Sequence, residues 1–328
     1  MTDSIVLAGS MLVDNVKMIP RWPDKGMLVQ VSSVKRAIGG AVCNSGVDLK
    51  TLDPSLSVRV LGKVGCDDAG DFVVAELEKH GLDCSLVLRT DAAPTTFTDV
   101  MTVEGTGERT FFNMHGADSA LVPDDVDVSS LDCGIFHFGY LLLLDGMDAP
   151  DDEYGTKAAR LLAKVQSAGI RTSIDIVSEQ SGRFVKVVRP ALKYCDYVVI
   201  NEIEGSLASG VPADDMRGIC KGLFDLGVSE RVVVHRPECG VTMGRDGDYV
   251  EVPSLSLPSG WIKGSVGAGD AFCAGILYSL MKDLDPEYAL RVASCAAAMN
   301  LASPDSTGGA RSLSETMELE SRFGRRAK

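Results

Sequence analysis

The chain has 328 residues, 45% of them hydrophobic, and a formal net charge of −14 at pH 7. The hydrophobic share supports a sizeable core and excludes a disordered chain. The negative balance repels nucleic acid and anionic membranes, which sets both aside as partners. Nine cysteines without a C-x-x-C pair suit reduced thiols in a cytoplasmic setting, not a disulfide framework or a zinc site. The opening "MTDSIVLAGS" lacks a basic and then apolar leader, so no secretory signal is expected. No apolar run reaches the ~18 residues of a membrane span.

In chain order, "SIVLAGS" predicts a short buried strand ending in glycine. From Asp14 to Ile38 the text is polar, carries Pro20 and Pro23, and shows no helical period. "SVRVLGKVG" is a second strand. "DDAGDFVVAELEKHG" has acids in its first turn, apolar residues at 3–4 spacing and Gly81 as its stop, the marks of a helix. "TTFTDVMTV" and "RTFFNM" flank "EGTGE" and predict a hairpin, expected to pair with the 14–38 region in a small sheet outside the core. From about residue 120 strands and helices alternate: "GIFHFGY", "YGTKAARLLAKVQSAG", "IRTSIDIV", "DYVVI", "ADDMRGICKGLFDLG" and "RVVVH". A hairpin around "RDGD" follows, then two consecutive buried helices, "AFCAGILYSLM" and "EYALRVASCAAAMNLA". Such alternation means an α/β fold with a mostly parallel sheet and right-handed crossovers. The basic end "RFGRRAK" reads as a solvated tail.

The stretch "KGSVGAGDAF" carries the chemistry. Gly267, Ala268 and Gly269 are small enough for their N–H groups to approach a ligand. The helix that follows points unpaired N–H groups and its positive dipole end at them, which makes an anion site. Asp270 beside it is either an ordinary helix cap or a carboxylate placed to take a proton from a hydroxyl that attacks a bound phosphoryl group. A Walker loop needs G-x-x-x-x-G-K-[ST], which the chain lacks. A dinucleotide fingerprint needs a sixth-position glycine where Phe272 stands.

At this point the sequence resembles the ribokinase and phosphofructokinase-B family of carbohydrate kinases. The C-terminal family motif, roughly D-T-x-G-A-G-D-x-F, corresponds to "GSVGAGDAF". The N-terminal G-G-x-x-x-N run corresponds to "IGGAVCNSG", and the central N-x-x-E to "VVINEIEGS". All three occur in order, over about residues 4–315. The resemblance implies a three-layer αβα core with a small β-sheet lid from about 12–38 and 94–116, all within a single kinase domain, 1–328. It implies ATP as donor, with Asp270 as catalytic base and Gly267, Ala268 and Gly269 as the anion hole. The helix N-terminus is expected to keep Asp270 ionised.

For the acceptor sugar the resemblance points to Asp14, whose carboxylate accepts two hydroxyl bonds, to Gly39 and Gly40, and to Asn44. His115 and Asp118 lie where the hairpin returns to the core, and Arg109, in the same hairpin, is placed to meet an anionic substrate; the three are further candidates that are otherwise hinge or surface residues. Asn201 and Glu204 are expected to organise Mg2+ through water, or else to form a capping box. Ser265 and Gly240 fall in the nucleotide region, where Pro237 removes a backbone donor from the usual loop. Gly264 and Ser265 replace the family's aspartate and threonine, which leaves K+ activation without its usual carboxylate. A homodimer through the lid is also implied. The alternatives are a nucleoside kinase of the same family, a non-catalytic sugar sensor on the same fold, and a dinucleotide-dependent oxidoreductase.

Overall fold

A computed structural model describes residues 4–179 and 182–327. The chain opens with β1 (Ser4–Gly9), β2 (Leu12–Ile19), β3 (Ser33–Gly39) and α1 (Ala41–Leu52), then β4 (Ser57–Gly65), α2 (Asp68–Lys79) and β5 (Asp83–Thr90). The hairpin β6 (Phe97–Val103) and β7 (Arg109–Met114) precedes β8 (Ile135–Leu141), a one-turn α3 (Asp145–Asp148) and the two-residue strands β9 (Pro150–Asp151) and β10 (Gly155–Thr156). Next come α4 (Lys157–Ser167), β11 (Arg171–Ile176), α5 (Phe184–Leu192), β12 (Tyr197–Asn201), α6 (Glu202–Ser209), α7 (Met216–Asp225) and β13 (Arg231–His235). The hairpin β14 (Cys239–Gly244) and β15 (Tyr249–Pro253) leads into α8 (Ala268–Met281), α9 (Pro286–Asn300) and α10 (Leu313–Phe323).

Among the described residues, nine strands form one sheet in the order β15-β14-β13-β12-β11-β8-β1-β4-β5. Pairing is parallel from β13 to β5 and antiparallel at β14 and β15. The strands are apolar on both faces because helices cover both. In β1, Ile5 and Leu7 pack with Val47, Val73, Leu277 and Leu290 from α1, α2, α8 and α9. Val6 and Ala8 point the other way, toward Leu161, Val188 and Leu223 from α4, α5 and α7. Burying each such leucine stabilises by about 1.5–3 kcal/mol, so these two faces fix the three-layer arrangement. Helix ends follow local chemistry. Asp67 caps α2 by accepting from Gly70 N at 2.8 Å, and Asp68 and Asp71 sit in the first turn.

The polar 14–38 region holds two full strands. They join the hairpin in a separate four-stranded sheet, β3-β2-β6-β7, in which β2 pairs parallel with β6 from Val13↔Phe97 onward. Sequence patterning leaves out β5, α5 and α10. In α5 the buried Phe184, Val187, Val188, Ala191 and Leu192 keep a helical period, but Pro190 inside the segment argues against a helix. The C-terminal end also differs from the solvated tail expected. Arg325 donates to Pro253 O at 2.6 Å and Ser294 Oγ at 3.0 Å, and pairs with Glu320 at 2.5 Å. Enough fixed acceptors surround that guanidinium to replace its water. Among the described residues no helix is long and apolar enough to cross a membrane.

From β1 the chain first builds outward through β4 and β5, then returns to build the other side from β8. In an open α/β sheet such a reversal leaves a crevice at the carboxyl ends of the strands, where ligands bind.

Candidate active site

The ends of β8, β11 and β12 and the starts of α6 and α8 enclose a cavity of about 190 Å³ in that crevice. Tyr140, Asp175, Ser178, Glu204, Gly269 and Asp270 are among its walls. Gly267 begins α8 with φ 78°, and a Cβ there would lie 2.1 Å from Ser306 O, so only glycine fits. The first bond of the helix ladder is Ala271 N to Gly267 O at 2.8 Å. Ala268 N is drawn to Ser265 O at 3.3 Å. The N–H groups of Gly269 and Asp270 therefore stand ahead of the ladder, beside the cavity, as donors for an anion.

Asp270 does not cap its helix. Its Oδ2 accepts from Asn44 Nδ2 at 2.9 Å, and its Oδ1 accepts from the Tyr140 hydroxyl. Burial pushes its pKa up to about 6, while the two donors pull it down. Desolvation is the largest influence on this carboxyl, larger than the pull of the helix N-terminus. At pH 7 roughly nine in ten copies are nonetheless ionised.

Asp14, Gly39, Gly40 and Asn44 gather beside this carboxylate. A Cβ on Gly39 would fall 2.4 Å from Asp14 Oδ2, and Gly40, with φ +89°, lies over Ser10 O. Asp14 is also pushed up to about 6 by burial, opposed by the charge of Arg109 and raised further by Asp270. Asn44 Oδ1 is buried with no hydrogen-bond partner among the described residues. A buried acceptor in that state asks for a ligand donor such as a hydroxyl. Arg109 donates to Pro304 O, which ties the small sheet to the 303–307 segment. The structure brings His115 to Asp145, at 2.8 Å, rather than to Asp14 or Asp270. Asp118 accepts from Ser10 Oγ at 3.0 Å and from Thr96 Oγ1, so it fastens the root of the small sheet to the core.

Asn201 and Glu204 form the capping box that was the alternative reading. Asn201 Oδ1 accepts from Glu204 N at 2.9 Å, and Glu204 Oε2 from Asn201 N at 3.0 Å. Ser178 Oγ donates to Glu204 Oε1 at 2.6 Å, and burial raises Glu204 to about 7. Both residues still face the cavity, with Asp175 opposite. This all-oxygen wall fits a hard divalent cation held through water. Next door, a larger pocket of about 480 Å³ runs past Ser265, Ile203, Pro237, Leu255, Phe272 and Arg326. Its apolar walls and polar mouth suit a nucleotide. Gly240 lies beneath it, where a Cβ would come within 3.0 Å of Phe272, so its smallness serves packing. A Cβ on Gly264 would lie 3.1 Å from Ser303 O and from Pro304 Cα, which leaves little room for the carboxylate the family usually has.

Sequence reasoning missed Tyr140, Asp175 and Ser178. Their common signal is position: each sits at or just past the carboxyl end of a strand beside the topological reversal.

Known proteins are similar to this chain in sequence and in fold. The pfkB family carbohydrate kinase model matches residues 2–312. The deoxyribokinase of Salmonella typhi is 24% identical over 310 residues, covering 90% of this chain and 92% of its own. The structure of Arabidopsis thaliana ribokinase complexed with ribose and ATP superposes with a TM-score of 0.79 at 20% identity, over 97% of this chain and 99% of that one. The nucleoside kinase of Burkholderia thailandensis in complex with inosine gives 0.75 at 20% identity, over 99% of both chains. The two superpositions show a ribokinase-like fold. The family match runs through all three motifs that meet at the cavity, and the chain belongs to the pfkB family of carbohydrate kinases, phosphotransferases with an alcohol group as acceptor.

Proposed function

We propose that this chain transfers the γ-phosphate of ATP to a hydroxyl of a sugar or sugar-like substrate, within one kinase domain. The observation that carries this reading is the buried Asp270 carboxylate, held among the described residues by the neutral donors Asn44 and Tyr140, next to the N–H groups that precede the α8 ladder. The acceptor oxygen attacks the γ-phosphorus and the bond to the β–γ bridging oxygen breaks, so ADP leaves. The hydroxyl proton goes to Asp270. The Gly267–Gly269 turn, through the N–H groups of Gly269 and Asp270, takes up the charge on the transferring group. Such positioning and charge stabilisation supply most of what phosphoryl transfer needs. Asp14, Gly39, Gly40 and Asn44 hold the acceptor, and Arg109 acts on it through Asp14 and the 303–307 segment. Mg2+ would be held through water by Asn201 and Glu204, where it would neutralise phosphate charge. K+ has no carboxylate at Gly264 to hold it.

The small sheet closes over the acceptor as a lid and pairs with a second copy. Val34 and Phe112 share one face of it by register and are at least half exposed, an apolar surface of the kind that subunits cover. All nine cysteines are free thiols, which fits the cytoplasm.

One observation favours a second reading. Phe111, about half exposed, pairs with Val100 as Asn113 pairs with Thr98 and Thr98 with Asp14, so its ring stands on the Asp14 face of the small sheet. Aromatic faces on a lid suit a nucleoside base. The deciding experiment is an ADP-release screen over pentoses, hexoses, keto-sugar acids and nucleosides, with and without K+. Turnover on a sugar that vanishes in Asp270→Asn is expected. Turnover confined to nucleosides selects the second reading, and none above background on any acceptor rejects both.

A further inference from the structure

Behind the cavity floor three different ligand types converge from three separate elements. His137 comes from β8, Asp175 from β11 and Cys273 from α8, one helical turn beyond Asp270. The three ligand atoms lie within 4.8 Å of one another. Residues His137 and Ser173 are paired across neighbouring strands. His137 Nδ1 bonds Ser173 Oγ at 3.0 Å, which directs Nε2 toward Cys273 Sγ, 3.7 Å away. Two ligands on one tetrahedral zinc ion, at about 2.3 Å for sulfur and 2.0–2.1 Å for nitrogen, are separated by ~3.5 Å. The observed spacing is close to that without any ion present. His137 is 2%, Cys273 1% and Asp175 9% exposed, and Asp175 and Cys273 line the cavity, which gives an ion a way in.

We propose that His137 Nε2, the Cys273 thiolate and an Asp175 carboxylate oxygen form a binding site for a zinc-class divalent ion, and that its occupancy inhibits phosphoryl transfer. The site borders the magnesium wall at Asp175 but differs from it in kind, since a thiolate and an imidazole select a borderline-soft metal over a hard one. The Ser173 bond is the outer-shell contact that metal-binding histidines normally carry. The Cys273 proton leaves to solvent as the sulfur–metal bond forms. The fourth coordination position opens on the cavity that holds Asp270. A dication there stabilises the Asp270 carboxylate, weakens it as a base, and offers a competing partner to the phosphoryl oxygens. The cysteine spacing hides this site because its ligands lie 38 and 98 residues apart in sequence (175 − 137 and 273 − 175).

The test titrates Zn2+ and Cd2+ into the metal-stripped full chain, without nucleotide. One tight equivalent and a cadmium–thiolate ultraviolet band are expected, with affinity falling by about 100-fold or more in Cys273→Ser and in His137→Gln. X-ray absorption on the zinc-loaded wild type, which needs no variant to fold, should show one sulfur with nitrogen and oxygen neighbours. No band in the wild type, a band that survives Cys273→Ser in a folded variant, or two or more sulfurs around zinc would overturn the site. A second arm rests on the kinase reading: zinc at about one equivalent should suppress ADP release on the accepted substrate. Binding without suppression removes the inhibitory role and leaves the site. A chain with no kinase activity that still shows the band and the one-sulfur shell separates failure of the kinase reading from failure of this one.

Discussion

Two helices begin at the same cavity with an acid in the same place, and they use it in opposite ways. In α6 the cap is Asn201, in extended backbone, and the acid three positions on, Glu204, turns back to bond its own cap. In α8 the cap is Gly267, left-handed and without a side chain, and the acid three positions on, Asp270, reaches away to Asn44 and Tyr140. A side chain at the cap closes a helix end upon itself. A glycine at the cap leaves the end open, so both its N–H groups and its acid are available to a ligand. One end is closed by its own side chains and the other is left open, and the difference lies in the cap.

The largest way to break that contrast is Asp270→Asn. Turnover should fall by about 10²–10⁴-fold with little change in substrate affinity; turnover within a few-fold of wild type would falsify the base assignment. The same variant should be more stable at neutral pH. A carboxyl at about 6 when folded and near its ordinary 3.8 when unfolded binds more protons in the folded state between those values, so stability is lost as pH rises through that window. Denaturant melts should therefore show Asp270→Asn gaining up to about 3 kcal/mol at pH 7 and almost nothing near pH 3. An equal gain at both pH values would contradict the burial argument.

Gly267→Ala comes next. It forces a side chain into left-handed backbone and onto Ser306 O. We expect a loss of about 1–3 kcal/mol in stability and roughly 10²-fold in kcat, checked by melting and steady-state kinetics. Tyr140→Phe removes a donor that holds the Asp270 carboxylate down. The acid limb of the kcat/KM profile, near pH 6 in wild type, should move up by about one pH unit; a limb that stays put would show that another group controls it. The smallest effect belongs to the closed helix end. Asn201→Ala should cost about 1 kcal/mol of stability through the lost cap and raise the magnesium concentration needed for half-maximal rate. Unchanged magnesium dependence would leave Asn201 a cap and nothing more.

Much of this site was legible in the sequence because its parts are local. "GSVGAGDAF" places a glycine turn, a helix start and an acid within nine residues, and "IGGAVCNSG" does the same for Asn44. The parallel sheet was legible from the alternation of elements, and the small sheet from a hairpin that sits apart from it. What escaped depends on residues far apart. Tyr140 and Asn44 both bond Asp270 from more than 120 residues away, and no local pattern marks a tyrosine at the end of an apolar strand as a donor. The burial of Asp270 escaped as well. A helix start argues for a low pKa, and only the packing around the carboxyl reveals how completely water is removed. Arg325 was misread for the same reason, since its acceptors at Pro253 and Ser294 lie elsewhere in the chain.

The 303–307 segment has neighbours on both sides. Lys35 of the small sheet pairs with Asp305 at 2.7 Å, Arg109 of the same sheet holds Pro304 O, and Ser306 O lies against Gly267. Whatever displaces the small sheet must therefore pull on the turn that receives the phosphate. On the proposed reading, an acceptor that steadies the small sheet also steadies that turn, so hydrolysis of ATP by water alone should run far slower than transfer to the acceptor.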